Sequence, residues 1–396
     1  MAVTADSAAP PHERRDALGW LRKNLFNTWY NALLTVLLLV LLAALLRPLL
    51  GWALAQADWG VVAVNLRLFM VGTFPASELW RAWLCALLAA ALLGLSWGIW
   101  PRVARDVAVA YGGGLLLLAL LPFGLTSRLL LALCSALVFA GMPAGRRAAA
   151  RGPAAGRWVA GAWVLLLPLV ALLLRGVGPG LPVVSTNQWG GLLLTLVLAI
   201  VGIVFSFPLG VLLAIGRRSR LPAISLLCTL YIEIIRGVPL ITVLFMSQIM
   251  LPLFVPGGER IDNVVRAMVG FTLFTAAYVA ENVRGGLQAI PRGQEEAARA
   301  LGLNPLLTLG MIILPQALRI VIPANVGQFI SLFKDTSLVA VAGLLDLLGI
   351  ARSVLAQSEF LGRQAEVLLF VAAVYWVFAY SLTYVSRRLE EVLDSG

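Results

Sequence analysis

Charge is scarce in this chain, and acidic charge is scarcest. Of 396 residues only 12% are Asp, Glu, Lys or Arg, and 19 carboxylates stand against 30 Lys and Arg. With 61% hydrophobic residues and a mean hydropathy of +0.93, that scarcity excludes a soluble globular domain. The one histidine, His12, sits in a polar N-terminal arm, and the three cysteines, Cys85, Cys134 and Cys228, lie in or beside apolar runs without metal-ligand spacing. A metal site and histidine-based catalysis are therefore excluded, and the cysteines read as small buried hydrophobes. No Gly-x-x-x-x-Gly-Lys-Ser/Thr loop is present, so ATP hydrolysis is not expected in this chain. The Gly112-Gly113-Gly114 triplet lacks a following lysine and reads as packing or a helix break. No cleavable signal peptide is expected, because the first apolar run comes late and is too long.

What the chain does have is long apolar runs. A helix needs about 20 apolar residues to cross about 30 Å of hydrocarbon. Continuous runs of that length mean helices rather than the alternating strands of a barrel. The expected class is all-α: a polytopic helical bundle of about ten transmembrane helices. Spans are predicted near 31–50, 82–99, 106–122, 128–142, 159–175, 189–215, 237–254, 264–284, 316–333 and 366–386, with 51–80 as an interfacial segment carrying Trp52, Trp59 and Trp80. The Gly/Pro cluster Gly176-Val177-Gly178-Pro179-Gly180-Leu181-Pro182 marks a boundary between an extension, 1–180, and a second unit, 181–396. No internal repeat argues for an inverted-repeat transporter. With a cytoplasmic N-terminal arm (Arg14, Arg15, Arg22, Lys23), ten spans return the C-terminus to the cytoplasm. The inner loops and termini then hold nineteen Arg and Lys and the outer segments nine, leaving Arg236 and Lys334 near membrane depth. That bias supports the orientation and explains the net charge of +11 as topology rather than nucleic-acid binding.

One polar insertion interrupts the apolar pattern. Pro291-Arg292-Gly293 ends a span, and 294–301 reads as a helix with Glu295 and Glu296 in its first turn, where the helix dipole favours negative charge. Gly302 stands where a glycine would stop the helix, and Asn304-Pro305 prevents its continuation. Ala297, Ala298 and Leu301 are expected on one face, small enough to enter a groove. The plainer alternative is a connecting helix packed on its own bundle.

The order Glu296-Ala297-Ala298, three residues, Gly302, nine residues, Ile312, one residue, Leu314-Pro315 resembles the signature loop of permease subunits of bacterial ABC importers. In that family the loop forms a coupling helix that inserts into a cytoplasmic ATPase. The resemblance thus implies coupling roles for Glu295, Glu296, Ala297, Ala298, Leu301, Gly302, Leu303 and Pro315. Three further stretches are similar to polar-amino-acid permeases: Tyr231-Ile232-Glu233-Ile234-Ile235-Arg236-Gly237-Val238-Pro239-Leu240, Ala280-Glu281-Asn282-Val283-Arg284-Gly285-Gly286, and Lys334-Asp335-Thr336-Ser337-Leu338. Together they cover roughly 185–390. The five-span extension resembles that of the longer general L-amino-acid permeases in length and layout.

Intramembrane charge needs a partner or water, since an ionisable group at the bilayer centre costs at least about 2.5–3.5 kcal/mol. Glu233 and Arg236, and likewise Glu281 and Arg284, are spaced i,i+3 and can pair along one helix face. Glu233, Arg236, Gly237 and Pro239 are candidates for a gate or helix break; the alternative for both pairs is that they fix helix ends at the inner interface. A path for a zwitterion needs a cation, an acceptor and orienting amides or hydroxyls. Glu281, Asn325, Gln328, Ser331, Lys334, Asp335, Thr336 and Ser337 supply those types, although Lys334 and Asp335 could instead stabilise a helix terminus. The function implied is the membrane subunit of an ATP-driven L-amino-acid importer. Its expected partners are a cytoplasmic ATP-binding subunit dimer that holds ATP and Mg, a second and homologous permease subunit, a periplasmic amino-acid-binding protein, the substrate and membrane lipid. The rival is an ion-gradient-driven secondary transporter or channel.

Overall fold

Helices form wherever the sequence offers long apolar runs, and Pro, Gly and Asn set their ends. The computed structural model describes residues 17–121, 123–254 and 261–394, so His12, Arg14 and Arg15 lie outside the described residues. The chain divides into two units, one ending at Gly60 and one beginning at Val61.

The first unit holds α1 (Ala17–Asn24) and α2 (Trp29–Ala55). Thr28 caps α2, its hydroxyl accepting from the Asn31 amide at 3.4 Å. At 27 residues α2 can span the hydrocarbon, and none of its residues is buried. The Trp59 indole donates to the Ala53 carbonyl at 2.8 Å beyond its end.

In the second unit the order is α3 (Gly60–Val71), α4 (Leu79–Ile99), α5 (Pro101–Ala119), α6 (Leu125–Ala150), α7 (Ala154–Arg175), α8 (Gly191–Arg217), α9 (Pro222–Gly237), α10 (Leu240–Met250), α11 (Asn263–Ala289), α12 (Arg292–Ala300), the single turn α13 (Pro305–Leu307), α14 (Leu314–Asp335), α15 (Leu347–Leu355) and α16 (Gln364–Asp394). A π-helical stretch, Thr308–Ile313, joins α13 to α14, and a 3-10 stretch, Thr336–Ala342, follows α14. Among the described residues eight helices are long and apolar enough to cross a membrane, nine if α9 and α10 form one bent span. The tenth predicted span is α5, nineteen residues long, which carries Arg102, Arg105 and Asp106 in its first turns. The predicted class, an all-α polytopic bundle with an N-terminal extension, is the observed one.

Two features differ from expectation. The span predicted at 237–254 is only the second limb of a broken element: α9 precedes it, and the chain bends by 114° between the two limbs. Pro239 lacks an amide hydrogen and forces Val238 into extended backbone (φ −109°, ψ 138°), which breaks the helix there. The segment read as merely interfacial contains α3, whose Phe69 packs in one buried cluster with Leu347 and Ile350 of α15 and Val367 of α16. Gly191 marks how close α3 comes to α8. At φ +59° it adopts left-handed backbone, and a Cβ there would lie 2.2 Å from the Phe69 carbonyl oxygen.

α4 and α6 approach each other through glycines. A Cβ at Gly98 would lie 2.4 Å from the Met142 oxygen, and one at Gly145 would lie 2.3 Å from the Leu95 oxygen. Gly94 and Gly141 meet in the same way, so two Gly-x-x-x-Gly ridges interlock backbone against backbone. Arg81 of α4 is fully buried. It lies 2.7 Å from Glu78, and its Nη1 donates to the Pro182 carbonyl at 2.8 Å, holding the Gly/Pro segment against α4. The core is built around α11, whose Ala276, Ala277 and Ala280 are fully buried and whose neighbours include α8, α9, α10 and α14.

Candidate functional site

The polar insertion folds as a capped unit. α12 begins at Arg292, two residues before the predicted start, and Gly302 takes φ +77° just past its end. The Gly302 amide donates to the Arg299 carbonyl at 2.9 Å and the Leu303 amide to the Ala298 carbonyl at 3.1 Å. This pair of bonds is a Schellman stop, satisfying carbonyls that a helix end leaves open. Asn304 then caps the next turn, its side chain accepting from the Leu307 amide at 2.8 Å, and Pro305 occupies the first helical position. Glu295 and Arg299 pair at 2.5 Å along the exposed side.

The face of α12 is not the one predicted. Ala298 is 3% exposed and turns inward, whereas Ala297, Glu295 and Glu296 are exposed and Leu301 is 81% exposed. Leu301 lies about 40° around the helix from Ala297 and about 60° the other way from Ala298, so the two alanines diverge. Leu306, also 81% exposed, and Met311 extend the apolar surface beyond the glycine. Leu303 is half-buried and Pro315 exposed. Gln316 Nε2 reaches Gln294 at 3.3 Å, linking α12 to α14.

Further into the bundle, charges from α8, α9 and α11 converge. Glu281 is the hub: Arg284 donates to both its oxygens, with Nε at 2.9 Å, while Arg217 and Arg236 approach at 3.4 and 3.5 Å. Arg217 also pairs with Glu233 at 2.9 Å. The expected Glu281–Arg284 pair is therefore present, but Glu233 and Arg236 do not pair with each other. Each reaches across to a neighbouring helix, because α9 packs against both α8 and α11 and a partner there satisfies the charge. Arg217 was not singled out from sequence; it lies 64 residues from Glu281. The Tyr231 hydroxyl donates to the Leu273 carbonyl at 2.7 Å, the Ser225 hydroxyl to the Arg217 carbonyl at 2.8 Å, and the Arg236 guanidinium lies 5.8 Å from the Tyr278 ring centre. α9 is thus fastened to α8 and α11 just before the Gly237–Pro239 break.

The polar residues of α14 do not form one constellation. Asn325 is buried and accepts from the Asn282 amide at 3.0 Å, bridging α11 and α14. Gln328 and Ser331 are half-buried. Nine residues after Asn325, Lys334 stands on the opposite face, since nine steps of about 100° leave a net half-turn. Lys334 and Ser337 line a cleft of about 280 Å³ with Leu348, Leu368 and Tyr375. Asp335 is half-buried and makes no ion pair within 4 Å of Lys334, and the buried Thr336 hydroxyl donates back to the Phe333 carbonyl at 2.7 Å. Sequence reading also passed over Asp346. Fully buried, it caps α15 by accepting from the Gly349 amide at 2.9 Å and the Leu348 amide at 3.1 Å, and it accepts from the Tyr375 hydroxyl at 3.0 Å. Burial raises its carboxyl above the usual range, and those donors pull it part of the way back.

Known proteins are similar to this chain in sequence. Residues 206–392 match the family described as binding-protein-dependent transport system inner membrane component. The inner membrane amino-acid ABC transporter permease protein YhdY of Escherichia coli is 42% identical over 97% of this chain and 95% of its own. The glutamate/glutamine/aspartate/asparagine transport system permease protein BztC of Rhodobacter capsulatus is 37% identical over 99% of this chain and 98% of its own. A solved structure, described as an amino acid ABC transporter with histidines, is 31% identical with a TM-score of 0.46 and covers 51% of this chain and 91% of its own. With end-to-end similarity to such proteins, the chain belongs to the amino-acid ABC transporter permeases, the inner-membrane components of binding-protein-dependent transport systems.

Proposed function

We propose that this multi-pass inner-membrane chain moves L-amino acids inward by alternating access, driven by a separate ATPase. The observation that carries the reading is the capped α12 unit. A nine-residue helix stopped by a left-handed glycine, with the turn α13 after it, holds Leu301 and Leu306 outward, each 81% exposed. Apolar side chains fixed on a rigid turn suit insertion into the groove of a soluble partner. That partner is a cytoplasmic ATP-binding subunit dimer, which binds ATP and Mg; this chain carries no cofactor of its own. Both termini face the cytoplasm. Glu295, Glu296, Ala297, Leu301 and Gly302 form the coupling surface, with Ala298 and Leu303 supporting it from inside and Pro315 opening α14 behind it.

Closure of the ATPase dimer pushes α12, and the push reaches α14 through the π-helical stretch. The gate is the α9–α10 break at Gly237 and Pro239, closed on the inner side by Glu233 and Arg236 through Arg217 and Glu281. Asn325, Gln328, Ser331, Lys334, Asp335, Thr336 and Ser337 line successive parts of the route rather than one pocket. A second, homologous permease subunit completes the route, and a periplasmic amino-acid-binding protein delivers substrate. In this reading 181–396 is the permease core and 1–180 an accessory membrane extension.

Proteoliposomes decide the matter. With the ATPase subunit, the second permease and the binding protein present, L-amino-acid uptake is expected only when ATP is supplied. Uptake by this chain alone under a proton or sodium gradient would overturn the reading in favour of a secondary transporter.

A further inference from the structure

We propose that the basic end of the α4–α7 bundle is a binding surface for acidic phospholipid headgroups. Two helix turns build it. Trp100 joins α4 to α5, and 151–153 join α6 to α7. Arg102 and Arg105 stand in the first turns of α5, Arg146 and Arg147 near the end of α6, Arg151 just past it, and Arg157 in the first turn of α7. The two turns adjoin. A Cβ at Gly98 would lie 2.5 Å from the Arg146 nitrogen, and one at Gly156 would lie 3.5 Å from the Trp100 ring.

All six arginines are exposed. Among the described residues the one carboxylate within 4 Å of any of them is Asp106, at 3.8 Å from Arg105. Asp106 is itself held more closely by Arg388 of α16 at 3.1 Å and by the Tyr384 hydroxyl at 2.5 Å. Six guanidinium groups therefore gather with almost no counter-charge among the described residues, and an anion from outside would relieve their repulsion.

Depth and surroundings name that anion. Each arginine lies within about two helical turns, roughly 10 Å, of the end of its helix. Helices α6 and α7 are long and apolar enough to cross a membrane, so their ends reach the headgroup layer. Trp158, 79% exposed, follows Arg157, and an amphipathic indole is favoured at that level. Leu165, 68% exposed, continues the same face of α7 two turns further into the apolar span. A phospholipid fits both parts, its phosphate paired with guanidinium forks and its tails along Trp158 and Leu165. Inorganic phosphate shares the headgroup chemistry without the tails, and an acidic soluble protein would leave the apolar face uncovered.

The inference rests on the placement of these residues and stands apart from the transport reading. Its test is native mass spectrometry of the full-length chain in a neutral detergent, with phosphatidylglycerol, phosphatidylcholine and inorganic phosphate as separate probes. Retention of phosphatidylglycerol over phosphatidylcholine is expected. It should fall about fivefold for each Arg→Gln change, vanish when all six are Gln, and survive when all six are Lys. Equal retention of the two lipids, or undiminished phosphatidylglycerol binding by the six-Gln variant, would overturn the inference. So would displacement of the lipid by inorganic phosphate, which would mark a free-phosphate site. If the six-Gln variant does not accumulate, the wild type decides by salt. A preference that fades near 1 M, where the screening length is about 3 Å, supports the inference, and one that persists refutes it.

Discussion

In the core, Arg217, Arg236 and Arg284 gather around the carboxylates of Glu281 and Glu233. In the extension, Arg102, Arg146, Arg147, Arg151 and Arg157 have no carboxylate within 4 Å among the described residues. Glycine divides in part along the same line. In the extension Gly98 and Gly145 meet only the backbone of the facing helix, whereas in the core Gly210 and Gly286 meet the Val279 and Val321 side chains as well as the Ala276 and Ala317 carbonyl oxygens. A backbone contact cannot adjust by changing rotamers, while side chains and ion pairs can exchange partners. The α4–α6 seam of the extension is thus pinned by backbone. In the core, side chains and ion pairs share the contact, and under the proposed gating those are the contacts that would be remade.

The largest way to break this comparison is Gly145→Leu. Its side chain would enter the Leu95 backbone, so a loss of about 3 kcal/mol or more is expected, seen as a marked fall in thermal stability of the detergent-purified chain. Gly113→Leu is the control, because nothing lies within 4 Å of a Cβ there. Equal tolerance of the two changes would mean that α4 and α6 are not locked by their backbones.

Next comes Glu281→Gln, which leaves three arginines sharing one carboxylate. Glu281 and the three arginines are a quarter to a third exposed and Glu233 about half, and after discounting for solvent screening the expected loss is about 1–2 kcal/mol. Transport should fall at least about tenfold with it if the network is the inner gate, one factor of ten corresponding to 1.4 kcal/mol in the transition state. Arg146→Gln in the extension should change stability by no more than about 0.5 kcal/mol. If Arg146→Gln proves as costly as Glu281→Gln, the contrast between paired and unpaired arginines is false.

These contrasts were unevenly legible in the sequence. The class and most spans follow from hydropathy, because lipid leaves the backbone few other choices. The α12 stop was legible too, since Pro291, Gly302 and Asn304 act locally, on backbone within a turn of themselves. Local spacing failed where the partner is distant. It joined Glu233 to Arg236, which are three residues apart, yet the structure gives Glu233 to Arg217 and Arg236 to Glu281. It also grouped Asn325 with Lys334 on a helix that carries them to opposite faces. The Gly94/Gly98 and Gly141/Gly145 pairs stood in plain view, but nothing local says that those two helices face each other. Pro239 divided a span so cleanly that α9 lost its apolar continuity with α10 and was not counted as part of a span.

Smaller still is Gly302→Val. A β-branched residue at φ +77° should cost about 1–2 kcal/mol locally, loosening the end of α12 while leaving the spans folded. Thermal stability should move little, and stimulation of the partner ATPase by this chain should be lost. Gly302→Asn, which tolerates left-handed backbone, should restore most of it. Equal loss from both variants would show that the position fails through bulk at a contact rather than through backbone conformation.

The smallest effect on the fold is expected from Leu306→Gln, and for that reason it is the sharpest probe of what α12 is for. Leu306 is 81% exposed, so the isolated subunit should keep its stability within about 0.5 kcal/mol. If the exposed leucines enter a groove on the ATPase, the same change should cost the complex about 1–2 kcal/mol, or five- to thirtyfold in affinity for that subunit. The measurement is a binding titration of purified ATPase against reconstituted permease, run beside a thermal melt of the permease alone. Unchanged affinity with an unchanged melt would make Leu306 a bystander and move the docking surface to Glu295, Glu296 and Ala297. A lowered melt would mean that Leu306 stabilises the subunit itself, and the capped turn would then be a structural connector. Only a stable permease with weakened association fits a helix whose apolar residues are held outward for a partner.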